Sequence, residues 1–112
     1  MIFRCLDHWG RAVILTERRW AEHVLSRRPY FAGHEEDVRD TITDPAFVVY
    51  DIDYPSRENY YRPSPLPYPY AGVLIKVVVD FRGRESSLSP GGTMVTVYLT
   101  SGKKPGEEQR WP

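Results

Sequence analysis

Apolar positions along this chain change their period once, from helical to alternating, and the change divides the expected structure in two. In residues 16–29 (TERRWAEHVLSRRP), Trp20, Val24 and Arg27 fall at i, i+4 and i+7, with Ala21 and Leu25 one position round, so one stripe about two turns long faces inward. Thr16 can cap the first turn, Glu17 suits the positive helix N-terminus, and Arg27 and Arg28 suit the negative end before Pro29 stops it. His23 lies beside the stripe. A second short helix is expected over residues 34–43, anchored by Val38 and Ile42 and ended by Asp44-Pro45, because proline pushes its predecessor out of the α region.

After residue 46 the pattern is that of strands. Residues 47–53 (FVVYDID), 57–62 (RENYYR), 73–81 (VLIKVVVDF) and 93–100 (TMVTVYLT) are β-branched and aromatic, which suits a pleated surface. Prolines at 63, 65, 67 and 69 remove backbone donors and predict a stiff extended loop, while Gly83, Pro90, Gly91 and Gly92 predict a long hairpin connection over residues 82–92. Near the N-terminus, apolar runs at residues 2–6 and 11–15 flank the turn-like Asp7-His8-Trp9-Gly10, so a small hairpin can extend the sheet. The expected fold is therefore α+β: an antiparallel sheet of about four strands, with one or two N-terminal helices on one face. Residues 1–100 form the single domain, and residues 101–112 are expected as a charged, flexible tail.

Side chains alternate across a sheet, so parity separates two surfaces. Val73, Ile75, Val77, Val79 and Phe81 share a core face, which Val95, Val97 and Leu99 are expected to join. Leu74, Lys76, Val78 and Asp80 share the other face with Met94, Thr96, Tyr98 and Thr100. If Arg62 pairs in register with that surface, the open face gathers Arg62, Lys76, Thr96 and Tyr98, a set that can hold a phosphate.

Composition narrows the function classes. With 112 residues the chain has room for one core, and 41% hydrophobic with 13% aromatic residues is enough to fold. Fifteen basic residues balance fifteen acidic ones, so nucleic-acid binding requires a local patch rather than a global field. The lone Cys5 cannot form an internal disulfide, and neither a membrane-length apolar run nor a signal-like N-terminus is present, so a soluble cytoplasmic protein is expected. His8, His23 and His34 are widely spaced and Gly91-Gly92 precedes a strand, so neither a metal set nor a nucleotide-binding glycine loop is expected, and no cofactor.

The order of parts carries a resemblance: AEHVLSRRP in the helix, DTITDPAFV at the second-helix exit, NYYR, and MVTVY in the last strand. Across residues 15–100 the chain resembles the phage-associated branch of the barnase, EndoU, colicin and RelE-like nuclease superfamily, the BECR fold. Members often carry a second histidine just before the helix-ending proline, where this chain has Arg28. The resemblance implies a curved antiparallel sheet and, in active members, metal-independent RNA cleavage by attack of a ribose 2′-OH on the adjacent phosphorus. That chemistry needs a base, an acid, and donors or cations for the phosphoryl oxygens. By residue type, Arg62, Lys76, Thr96, Tyr98 and His23 are the candidate catalytic residues, while Tyr60, Tyr61, Arg27 and Arg28 are candidates for binding RNA by stacking or phosphate contact. A toxin-like ribonuclease of this kind also implies an antitoxin or immunity protein as partner.

Plainer explanations stand beside these. A histidine on a helix can pack at the core edge, helix arginines can form a solvated face, Lys76 can snorkel over apolar surface, and Thr96 and Tyr98 are good strand residues in any sheet. A catalytically inactive interaction module, using the open sheet face or a sheet edge, is the alternative function.

Overall fold

The computed structural model describes residues 1–81 and 91–112. Among the described residues the chain builds a sheet of seven strands, not four, and the sheet is mixed rather than wholly antiparallel. The strands are β1 (Phe3–Leu6), β2 (Ala12–Leu15), β3 (Phe47–Tyr50), β4 (Arg57–Pro63), β5 (Leu74–Asp80), β6 (Gly91–Thr100) and β7 (Gln109–Trp111), in spatial order β1-β2-β6-β5-β4-β3-β7. The connection expected as a long hairpin lies, over residues 82–90, outside the described residues.

Two additions account for the larger sheet. The N-terminal strands β1 and β2 pair antiparallel, and β2 then joins β6 in parallel through Ala12, Val13 and Ile14. Glycine permits that approach: a Cβ on Gly91 would stand 2.7 Å from the Ala12 carbonyl oxygen, and one on Gly92 would stand 2.6 Å from Val79 Cγ1. At the other edge, residues expected as a flexible tail supply β7, which pairs antiparallel with β3. The chain leaving β6 must therefore cross β5, β4 and β3 before it reaches its partner.

Helices are short and lie on one face. Thr16 caps α1 (Glu17–Arg19), its side chain accepting from the Arg19 N–H, and the helix widens at once into a π-helical stretch, Trp20–Leu25, where the Ser26 N–H reaches the Ala21 carbonyl at 3.1 Å. A 3-10 turn follows at Pro29–Phe31, and then α2 (Glu35–Thr43). Trp20 and Val24 from the first helix, Val38 and Ile42 from α2, and Leu66 from the proline-rich loop pack against Tyr60, Ile75, Val77, Val79 and Val97. No helix among the described residues is long and apolar enough to cross a membrane.

The expected parity of the last strand is correct at Val97 and reversed near its start. The register between β5 and β6 shifts between Val78 and Val79, so Met94 faces Val79 and enters the core while Val95 is only half-buried. One inserted residue exchanges the faces of everything beyond it.

The sheet also curls until its ends meet. The β1–β2 turn reaches across the core face to β4, where Arg11 grips Glu58 with both terminal nitrogens (2.8 and 2.9 Å) and Asp7 through Nε (2.9 Å). The Tyr60 hydroxyl donates to Asp7 at 2.7 Å, and the rings of His8 and Trp111 stand 4.6 Å apart. Bidentate arginine geometry and a buried acceptor make this a strong tie between the two ends of the sheet.

Candidate functional site

Lys76 lies in the middle of β5, on the face turned away from the helices, opposite Tyr61 on β4 and Tyr98 on β6. That face is covered. Lys76 is 2% exposed, and Asn59 and Tyr61 beside it are fully buried. What covers them is the crossover between β6 and β7, which brings Glu107 down onto the strands. Lys76 Nζ donates to Glu107 Oε2 at 3.1 Å and Asn59 Nδ2 donates to the same oxygen at 2.9 Å. The Tyr61 hydroxyl (2.6 Å) and the Lys104 backbone N–H (2.7 Å) donate to Oε1.

Two donors on each oxygen decide the charge state. Burial alone would push the Glu107 carboxyl up, but the bonds from Tyr61, Asn59, the Lys104 backbone and Lys76 outweigh it and hold the group below the ordinary carboxylate range. The Tyr61 hydroxyl moves the other way, raised by burial and by the carboxylate it must donate to. Asp51, which accepts from Asn59 at 3.1 Å, is likewise held low against the effect of its burial. Asn59 Oδ1 is buried without a hydrogen-bond partner among the described residues.

Beside this covered cradle the face is more open. Among the described residues, strand β2 pairs with β6 only at Gly91, Gly92 and Thr93, and the C-terminal half of β6 has no strand beyond it. The π-helical stretch packs against β6. Arg28 extends over that strand until its guanidinium carbon lies 5.2 Å from the centre of the Tyr98 ring. Lys76 Nζ lies 5.4 Å from the same ring and 5.4 Å from that of Tyr61, which stacks on Phe47 at 4.7 Å. Thr96 is half-buried on the same face, opposite Val78. Two cations thus flank one tyrosine, and the aromatic faces and guanidinium plane suit an anion carrying an aromatic base.

Of the residues singled out from the sequence, Lys76, Thr96, Tyr98 and Tyr61 therefore share one face, and Arg28 reaches the Tyr98 ring from the end of the first helix. The others do not join them. Arg62 pairs with Ile75, not with Lys76, which turns its side chain to the helix side, where it lies 4.0 Å from Asp44 and lines a cleft with Asp37, Asp40, Pro63 and Pro65. The phosphate set expected around Arg62 is thus broken by one step of register. His23 is exposed on the outer side of the helix among Thr16, Arg18, Arg19 and Glu22, away from the covered cradle. Arg27 is exposed. Tyr60 is fully buried in the core with its hydroxyl committed to Asp7, so its ring cannot stack on a base.

Sequence reasoning misses two participants. Asn59 is two residues before Tyr61 in β4, and strand parity alone would place it on the same face. Glu107 is 31 residues from Lys76, in a polar segment without periodicity, and only the path of the chain brings it in. No group of three or more His, Cys, Asp or Glu side chains converges to hold a metal ion among the described residues. No family model, no curated protein and no solved structure matches the chain.

Proposed function

We propose that this chain is a ribonuclease-like protein that acts on RNA, without a metal ion, at the sheet face carrying Lys76, Thr96 and Tyr98, with Arg28 beside the Tyr98 ring. The observation that supports it is the placing of two cations around one tyrosine ring, at 5.2 and 5.4 Å, the ring itself lying on the face opposite the core. In the reaction the ribose 2′-oxygen bonds to phosphorus as the bond to the 5′-oxygen breaks, and solvent water takes the proton from the 2′-OH and returns one to the departing 5′-oxygen. The products are a 2′,3′-cyclic phosphate and a free 5′-hydroxyl. Arg28 offers a planar fork to the non-bridging oxygens, Lys76 supplies a nearby positive charge, and Tyr98 gives a ring for an unpaired base and a hydroxyl donor for the phosphate. His23 has no step in this scheme. The resemblance of the helix, NYYR and MVTVY segments to the phage-associated BECR nucleases supports the same reading, and with it a toxin-like role opposed by an antitoxin or immunity protein.

A second reading is a non-cleaving module that binds a protein partner. It is favoured by the two sheet edges, β1 and β7, which have no further strand beside them among the described residues, and by the burial of Lys76 under Glu107. Incubation of the purified chain with single-stranded RNA in the presence of a chelator separates the two. Cleavage to cyclic phosphate ends, reduced on the order of 10²-fold by Arg28→Ala and by Tyr98→Phe, supports the ribonuclease. Intact RNA, with affinity indifferent to both substitutions, supports the binding module.

A further inference from the structure

The four donors that close on Glu107 form an anion site that the protein fills with a carboxylate of its own. We infer that this cradle is built for a phosphodiester group, and that residues 101–108 are a strap which must lift before a nucleic-acid phosphate can enter. The identity of the anion rests on the ribonuclease reading, and the rest on geometry.

Glu107 presents two equivalent oxygens sharing one negative charge, and each oxygen takes two donors: Tyr61 and the Lys104 N–H on one, Asn59 and Lys76 on the other. A phosphodiester presents the same thing, two equivalent non-bridging oxygens sharing one charge. Three of the four donors belong to neighbouring sheet strands and are held by their pairing, so they remain in place when the carboxylate leaves. Only the fourth belongs to the strap. The cradle also adjoins the Tyr98 ring and Arg28, so a phosphate seated on Lys76 would lie beside a stacking surface and a second cation.

The strap itself depends on a residue that other side chains would strain. Gly106, directly before Glu107, has φ +90°, a conformation L side chains rarely adopt, and a Cβ there would meet nothing closer than Ile52 Cγ2 at 3.7 Å. Gly106→Ala therefore loosens the strap through the backbone without a clash and without altering the carboxylate or any donor. Glu107→Ala does the opposite, emptying the cradle while the chain path stays.

The probe is inorganic phosphate, compared with chloride at equal ionic strength, on the full chain. Glu107→Ala is expected to melt lower than the native chain, and phosphate is expected to restore it, with the restoration lost in Lys76→Met/Glu107→Ala. Gly106→Ala is expected to bind phosphate at least tenfold more tightly than the native chain and to show faster hydrogen exchange over residues 101–108. If Glu107→Ala does not fold even with phosphate, Gly106→Ala decides, because it keeps every charged group. Phosphate affinity equal to the native value in a folded Gly106→Ala, or slower RNA cleavage by it, would overturn the inference. Tight phosphate binding by these variants without RNA cleavage by any form would leave the anion cradle standing and remove the ribonuclease reading.

Discussion

Lys76 and Glu107, 31 residues apart in the chain, meet at 3.1 Å with side chains only 2% and 1% exposed. A buried pair of this kind is held by its hydrogen bonds as much as by its charges, and breaking it from one side leaves the other charge uncompensated. Lys76→Met should therefore cost about 3–5 kcal/mol in urea unfolding. A double-mutant cycle with Glu107→Gln should give a coupling of about 1–3 kcal/mol. A coupling near zero would mean that the two groups do not interact in solution.

Acid should unfold the protein through the same carboxylate. Glu107, Asp7 and Asp51 are each raised by burial but lowered further by their donors, so each has a folded value below its ordinary 4.5, 3.8 and 3.8. A depressed carboxyl contributes stability that is fully present above its unfolded value and lost as pH falls through the folded one. Stability should thus be independent of these groups above about pH 5 and decline below the ordinary carboxylate range. Glu107→Gln should flatten part of that decline in denaturation curves taken across pH.

The parallel contact between β2 and β6 should be the most sensitive joint in the backbone. A Cβ at residue 91 would lie 2.7 Å from a main-chain oxygen that cannot move without breaking the strand pair. Gly91→Ala should destabilise by about 1–3 kcal/mol and raise hydrogen exchange in residues 12–15. An unchanged melting temperature would show that β2 does not pair there.

Cys5 offers a chemical check on the first strand. Burial pushes its thiol up to about 11, with Arg39 opposing the rise and Asp7 adding to it. The thiolate is the reactive form, so labelling by a maleimide at neutral pH should be much slower in the native protein than in urea. Equal rates would place Cys5 in solvent.

Part of this arrangement is legible in the amino-acid sequence. Trp20 and Val24 read as an inward stripe and are buried, and period-2 alternation in 73–81 puts Lys76 opposite the core. The same alternation misleads where a bulge interrupts the pairing or where the register between strands is not known. Met94 and Val95 exchange faces at the shift beside Val78 and Val79, and Arg62 falls on the helix side because its partner is Ile75. Register depends on distant strands, and no local pattern encodes it. The C-terminal segment shows the limit most clearly: Gln109–Trp111 is too short to carry a period, and it becomes a strand only because β3 offers an unpaired edge. Glu107 is hidden for the same reason, since its partners are supplied by topology.

Whether the proposed face meets RNA is tested most directly by titrating the isotope-labelled full chain with a short single-stranded RNA in a chelating buffer. The amide signals of Arg28, Thr96, Tyr98 and the strap at residues 101–108 should move together and saturably. Shifts confined to the exposed aromatic surface of Trp9 and Tyr50, where Arg110 stacks on both rings, or no shifts at all, would contradict it.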